Sequence, residues 1–287
     1  MLGILLTAGS AFVEEVSASI GKWETAHGKE NVFSFGFLSY FWATIFLFVF
    51  AFLIPKDFFA SGFPGGFVFN MASLPTFLPR VGLEILQALA GAYALVIADR
   101  STVGFLHIIT IPLLLVVDIA LSYSVGMPQI AGMSLIIVSL VLIFINHGIK
   151  RRGAWLVVFC AVNAVATISL FKYDVTHFNS VEAEQGIVNL VLVIFFFVMA
   201  LAKTNQNPFR LLMCPVFFTQ SFLMGAGGSV MGFAYYFGTA SVITSAKRAL
   251  NILFAMLSGH VYFREKKLWI KVMSFILITL GLVLLAQ

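Results

Sequence analysis

Two adjacent carboxylates, Glu14 and Glu15, stand near the middle of the apolar stretch from Leu2 to Lys22, and a Lys247-Arg248 pair stands midway along another apolar stretch near the other end of the chain. A charge at bilayer depth costs roughly 2.5–3.5 kcal/mol even on the lenient insertion scale, so such groups pair with one another, titrate, or meet a charged solute. Helical spacing separates the two acids. Thr7, Ser10, Glu14, Ser17 and Gly21 recur on one stripe of small and polar residues, of the kind that faces a cavity or a close-packed neighbour. Glu15 lies about 100° around the helix from that stripe. Glu14 is therefore expected in a cavity and Glu15 in an ion pair or interhelical bond. Ser241, Thr244, Arg248, Asn251 and Ser258 form a matching stripe, with Lys247 beside it. Both cations lie too deep to snorkel to a surface, and the two glutamates are their natural partners. The alternative role for these charges is a purely structural ion pair that fixes helix packing.

Further candidates are sparser. Arg80, Glu84, Gln87 and Gly91 share one face of a third apolar stretch, and Gly104, His107, Ile111, Asp118 and Ser122 share a face of a fourth. Glu84 and Asp118 fall near the ends of their spans, where hydration at the interface competes with a role in a site. A midplane His107 would titrate near neutral pH and join a proton path, although an interior histidine is more often simply hydrogen-bonded. Pro112 is expected to kink its helix. Asn163, Asn189 and Gln220 are single amides suited to interhelical hydrogen bonds, and Trp42, Tyr235 and Tyr236 are suited to packing or to stacking on a solute. Gly225-Ala-Gly-Gly228 has no Lys-Ser/Thr after it and no strand before it, so it reads as a hinge or close helix crossing rather than a phosphate loop.

The elements that position these groups follow from composition. Of 287 residues, 61% are hydrophobic, 15% aromatic and only 10% charged, with a mean hydropathy of +1.03. Soluble domains carry about 25% charged residues, so the chain is expected to be an all-α integral membrane protein. Continuous apolar runs exclude an alternating β-barrel pattern. Spans of ~20 residues are expected at 2–21, 33–54, 80–98, 101–122, 127–146, 154–171, 186–202, 211–236, 239–262 and 268–286. No basic n-region precedes the first run, so no cleavable signal peptide is expected. Cys160 and Cys214 read as buried membrane thiols, without a disulfide or metal site. The net charge of +5 resides in short loops and signals headgroups rather than nucleic acid. The stretch 55–79 has four Pro and three Gly among many Phe. It reads as a loop in the headgroup region, or as a re-entrant segment or lid.

The halves repeat. Ser19, Lys22, Trp23, Glu24 and His27 match Ser169, Lys172, Tyr173, Asp174 and His177 at an offset of 150, and Gly132–Leu140 aligns with Val272–Leu280 at an offset of 140. The second offset sets His107 opposite Lys247. Five helices per repeat is odd, so the second repeat enters from the opposite side. The fold expected is ten transmembrane helices in two inverted five-helix repeats, residues 1–148 and 149–287, with a site near the midplane between them.

In Ser245–Glu265, with its Ala-Met-Leu-Ser-Gly259 segment and the glutamate before the last span, the chain resembles the ten-helix EamA-like branch of the drug/metabolite transporter superfamily. Val13-Glu14-Glu15-Val16 and Lys22 resemble the first helix of the small multidrug resistance proteins, whose glutamate binds protons; here the glutamate is doubled. The resemblance implies a secondary transporter, an exporter or exchanger of a small metabolite working by alternating access; it leaves open whether Glu14 or Glu15 is the proton-coupling group, and the helical stripe favours Glu14. The candidate substrate- and proton-binding residues are Glu14, Glu15, Glu84, His107, Lys247, Arg248 and Asn251, and no cofactor or metal is expected. Expected partners are membrane lipids and a small-molecule substrate, as a monomer or homodimer in the cell (inner) membrane. A flippase for an amphipathic substrate and a non-transporting scaffold are the alternatives; a membrane enzyme would need a denser set of nucleophile, base or metal ligands. Twelve basic residues fall in loops on one side and Lys56, Arg80 and Lys172 on the other. The positive-inside rule then places both termini outside, whereas the resemblance implies both inside.

Overall fold

Leucine-, phenylalanine- and alanine-rich runs bury their backbone polar groups in their own hydrogen bonds, the arrangement a bilayer demands. In a computed structural model of the chain, which describes residues 2–26, 31–53, 66–98, 106–145, 153–204, 207–262 and 268–285, these runs are helices. They are α1 (Leu2–Ala26), α2 (Val32–Leu53), α3 (Leu74–Ile97), α4 (Thr110–Ala120), α5 (Met127–Ile145), α6 (Ala154–His177), α7 (Val181–Thr204), α8 (Pro215–Tyr236), α9 (Ala240–Tyr262) and α10 (Leu268–Leu285). No strand occurs among the described residues. Among the described residues, five helices, α1, α2, α6, α7 and α8, are long and apolar enough to cross a membrane. The chain is a multi-pass helical membrane protein. Among the other helices, α4 is short, with 11 residues, and α3 and α9 each carry two charged residues, Arg80 with Glu84 and Lys247 with Arg248.

Helix starts are written in local chemistry. The Asn31 side chain accepts from the backbone of Phe33 and Ser34, both at 2.9 Å, and opens α2. Asn207 caps a one-turn helix at Pro208–Leu212, and Pro215 occupies the first turn of α8, where a missing N–H costs no helical bond. Gly153, with φ of 76°, turns the chain into α6; a Cβ there would also fall 2.9 Å from that of Ala98.

The helices pack in pairs drawn from the two halves: α1 against α8, α3 against α6, α2 against α7 and α5 against α10, with α1 and α4 both touching α9. Glycines allow the closest approaches. A Cβ on Gly225 would lie 2.5–2.7 Å from Trp42 and Ala43, so the expected reading of the 225–228 glycines as a close crossing is right. Gly36 lies under the Phe196 ring, and Gly132 and Gly281 face each other at the α5–α10 crossing.

Several boundaries differ from expectation. The end of the 55–79 stretch is helix, because α3 begins at Leu74 with Pro75 in its first turn. Residues 66–70 exchange bonds with the α6–α7 turn, Ser180 N donating to Val68 O at 2.9 Å and Asn70 N to Asn179 Oδ1 at 2.8 Å; residues 54–65 of the expected loop or lid lie outside the described residues. Pro112 sits in the first turn of α4, directly after a 3-10 turn at His107–Ile109, where its position needs no N–H. The helix α7 starts at Val181 rather than at 186, and α6 runs on to His177. Cys214 is exposed at the start of α8, and only Cys160 is a buried thiol.

Candidate functional site

The small-residue stripe of α1 packs on α8. Ser17 Oγ donates to Gln220 O at 2.7 Å, and Ser10 Oγ lies 2.8 Å from Gly227 O and 3.1 Å from Glu14 Oε1. A Cβ on Gly227 would come within 2.6 Å of Glu14 Cγ, so glycine at 227 gives the carboxylate its room. From α9, Lys247 Nζ reaches both Glu14 oxygens, at 3.0 and 2.8 Å. The acid at the centre of the first span and a lysine near the other end of the chain thus form one ion pair.

That pair lies on the wall of a cavity of about 410 Å³, within the range of sites for small organic ligands. Its wall draws on both halves of the chain. Glu14, Tyr40, Gln87 and His107 come from the first, and Cys160, Gln185, Asn189, Gly228, Lys247 and Arg248 from the second. Of the seven candidate binding residues, Glu14, His107, Lys247 and Arg248 meet here, joined by Gln87, Gly91 and Asn189 from among the other residues singled out in the sequence. Glu15, half-buried on the flank of α1, does not line the cavity, in keeping with its offset from the stripe. Neither do Glu84 and Asn251. Glu84 sits one turn from Arg80, at 3.8 Å, and Asn251 is half-buried on α9.

On the other side of the cavity the contacts are neutral. Asn163 Nδ2 donates to Leu83 O at 2.8 Å and to Gln87 Oε1 at 3.1 Å, with Thr167 Oγ1 at 3.3 Å from the same oxygen. Cys160 Sγ donates to Gln87 O at 3.8 Å. Asp118 is no interfacial acid; it is buried, and its Oδ2 accepts from Ser241 N at 2.7 Å, capping the start of α9. Trp42 packs among Phe41, Phe46, Phe218 and Phe222, away from the cavity wall, and the Tyr235 hydroxyl lies 2.9 Å from Thr244 Oγ1.

A second charged network sits beside the cavity. Arg80, 1% exposed, donates through NH1 to Glu184 Oε1 at 2.6 Å and through NH2 to Gln185 Oε1, and its guanidinium lies 4.6 Å from the Phe171 ring centre. Asn179 Nδ2 donates to Glu184 Oε2 at 2.6 Å, and Thr76 Oγ1 to Asp174 Oδ1 at 2.5 Å. Lys172 Nζ donates to the carbonyls of Tyr235 and Tyr236, at 2.8 and 3.3 Å, closing the C-terminal end of α8. Arg80 and Lys172 are therefore buried structural cations rather than loop charges. Sequence reasoning missed this network because it began the seventh span at 186 and so left Glu182, Glu184 and Gln185 outside it. The available signal was a run of acids and an amide abutting an apolar stretch, with Arg80 as the unassigned cation.

No protein-family model and no curated protein matches the chain. A solved structure described only as "Crystal structure of protein" superposes with a TM-score of 0.70 over 98% of both chains, at 13% identity. At that identity the likeness concerns the fold alone.

Proposed function

We propose that the protein is a secondary transporter of a small metabolite, a member of the EamA-like branch of the drug/metabolite transporter superfamily, working by alternating access between two inverted five-helix repeats, with Glu14 as its proton-coupling group. The observation that carries this reading is the cavity itself. It lies at the junction of the halves and is walled by both, and it holds an ion pair, Glu14–Lys247, whose partners come one from each half.

Pairwise packing supports the repeat. Exchanging α1–α5 with α6–α10 turns the α1–α8 contact into α6–α3 and maps α2–α7 and α5–α10 onto themselves, and all of these pairs are packed. The correspondence extends to atoms. Ser10 bonds the carbonyl of Gly227, and Cys160 bonds that of Gln87. Cys160 stands at the first repeat offset from Ser10, and Gly227 stands at the second from Gln87. Gly36, under Phe196, has its counterpart at the first offset in Gly186, where a Cβ would meet Leu47 and Phe48 at 3.7 Å. Ten spans follow from that repeat. Sites between inverted repeats near the midplane are the common plan of secondary transporters.

Burial of two cations bears on orientation. With Arg80 and Lys172 inside the protein, the minority side of the loop-charge tally keeps only Lys56, which lies outside the described residues. The charge rule then favours both termini outside, in a cell (inner) membrane.

The test is flux in proteoliposomes under an imposed pH gradient, with a metabolite panel and a pH-sensitive dye inside. Wild type moves protons together with its substrate, and Glu14→Gln keeps its helical circular dichroism while losing the pH dependence of transport. Unaltered pH dependence in Glu14→Gln overturns the coupling role.

A further inference from the structure

We infer that the cavity selects an organic anion, a carboxylate or phosphate ester carrying an apolar body. This inference rests on reading the cavity as the transport site. Two features of the wall carry it.

The first is charge. Glu14 is held through both oxygens by Lys247, so this pair contributes no net charge. Arg248 lines the same cavity, and no hydrogen bond or ion pair joins it to any described residue; its Nε is buried without a partner. Glu14, the acid whose charge acts on Arg248, is already held by Lys247, and a cation left without a bonded partner inside a membrane protein is costly unless an anion arrives to pair with it. Arginine is also the side chain whose planar fork matches carboxylate and phosphate.

The second is the polarity of the amides. Arg80 can only donate, so Gln185 must present its oxygen to Arg80 and its nitrogen to Asn189. Gln185 Nε2 donates to Asn189 Oδ1 at 2.9 Å, which leaves Asn189 Nδ2 unengaged on the cavity wall. On the facing side, Asn163 Nδ2 is fixed as a donor by its bond to the Leu83 carbonyl, so the Gln87 atom that it also meets is the oxygen. Gln87 Nε2 is the end left over. Arg80 and the Leu83 carbonyl thus set both amides the same way round, acceptors spent and donors free. With Arg248 they offer hydrogen bonds to an acceptor-rich, negatively charged group. The remaining wall, including Phe35, Tyr40 and Ala92, suits an aromatic or aliphatic body.

The test uses matched probes on the full-length protein in phosphatidylcholine nanodiscs: 3-phenylpropionate and phenyl phosphate, neutral 3-phenylpropionamide, and cationic 3-phenylpropylamine, read by thermal shift and calorimetry. The anions bind, the amide binds at least tenfold more weakly, and the amine does not bind. Arg248→Gln weakens the anions at least tenfold, and Arg248→Lys restores part of the loss. Should Arg248→Gln fail to fold, Asn189→Asp decides: it keeps the acceptor for Gln185 and replaces the free donor with a negative oxygen, so the anions are lost and the amine gains. Failure of both anions to bind, equal binding of the amine, or unchanged anion affinity in Asn189→Asp overturns the inference. Repeating the titration in phosphatidylglycerol nanodiscs separates sources. Competition from the lipid identifies a headgroup as the anion, and unchanged affinity identifies a soluble solute; anion selection stands either way. Anion binding without flux in proteoliposomes would sink the transporter reading while leaving selectivity intact, and flux of amines but not anions would do the reverse.

Discussion

Replacing Lys247 by Met removes the cation that holds both oxygens of Glu14, and replacing Glu14 by Gln leaves Lys247 without its carboxylate. The contacts are 2.8 and 3.0 Å, and the two side chains are 22% and 14% exposed. At that separation the attraction is about 6 kcal/mol with an effective dielectric constant of 20, most of it offset by the desolvation of two ions. What remains measurable is the cost of stranding one partner. For a pair with an open edge on the cavity this should fall at the low end of the usual range, about 3 kcal/mol for each single change. The double change strands nothing, so its cost should be close to zero, a coupling energy of about −6 kcal/mol. The assay is reversible unfolding in mixed detergent–lipid micelles, followed by circular dichroism for all four members of the cycle. A double variant that costs the plain sum of the two single changes would refute the view that the two residues act as one unit.

Two further outcomes test the packing. Arg80→Met leaves Glu184 with no guanidinium and should destabilise the fold by about 3–5 kcal/mol; Arg80→Lys should recover only part of this, because one ammonium cannot reproduce a fork that serves Glu184 and Gln185 while lying over Phe171. Recovery to wild-type stability in the same unfolding assay would contradict that geometry. Gly225→Ala sets a Cβ 2.5 Å from that of Trp42 and 2.6 Å from the Ala43 backbone, so α2 and α8 must part, at a cost of about 1–3 kcal/mol. Gly9→Ala, where a Cβ meets nothing within 4 Å, should leave the melting temperature unchanged.

Membrane residence, the helical runs and the placement of Glu14 rather than Glu15 on the cavity wall were all legible in the chain. Each depends on local quantities: length of apolar run, charge fraction and the helical period. The stripe through Thr7, Ser10, Glu14 and Ser17 was readable because a helix face is a function of spacing alone, and the structure puts that face on α8. The two offsets between the halves were likewise visible as matched residues.

Pairing was decided elsewhere. Which of two neighbouring cations takes Glu14, and which is left facing the cavity, depends on how α9 is rotated against α1, and both Lys247 and Arg248 have the same charge on paper. The Arg80–Glu184 pair joins two helices from different halves of the chain, and spacing carries no information across that distance. The free donors of Gln87 and Asn189 are a property of a hydrogen-bond relay, set by an arginine that can only donate and a backbone carbonyl that can only accept. Composition and periodicity determined that charges would lie inside a membrane; only the packing of the two halves determined which of them cancel and which remain.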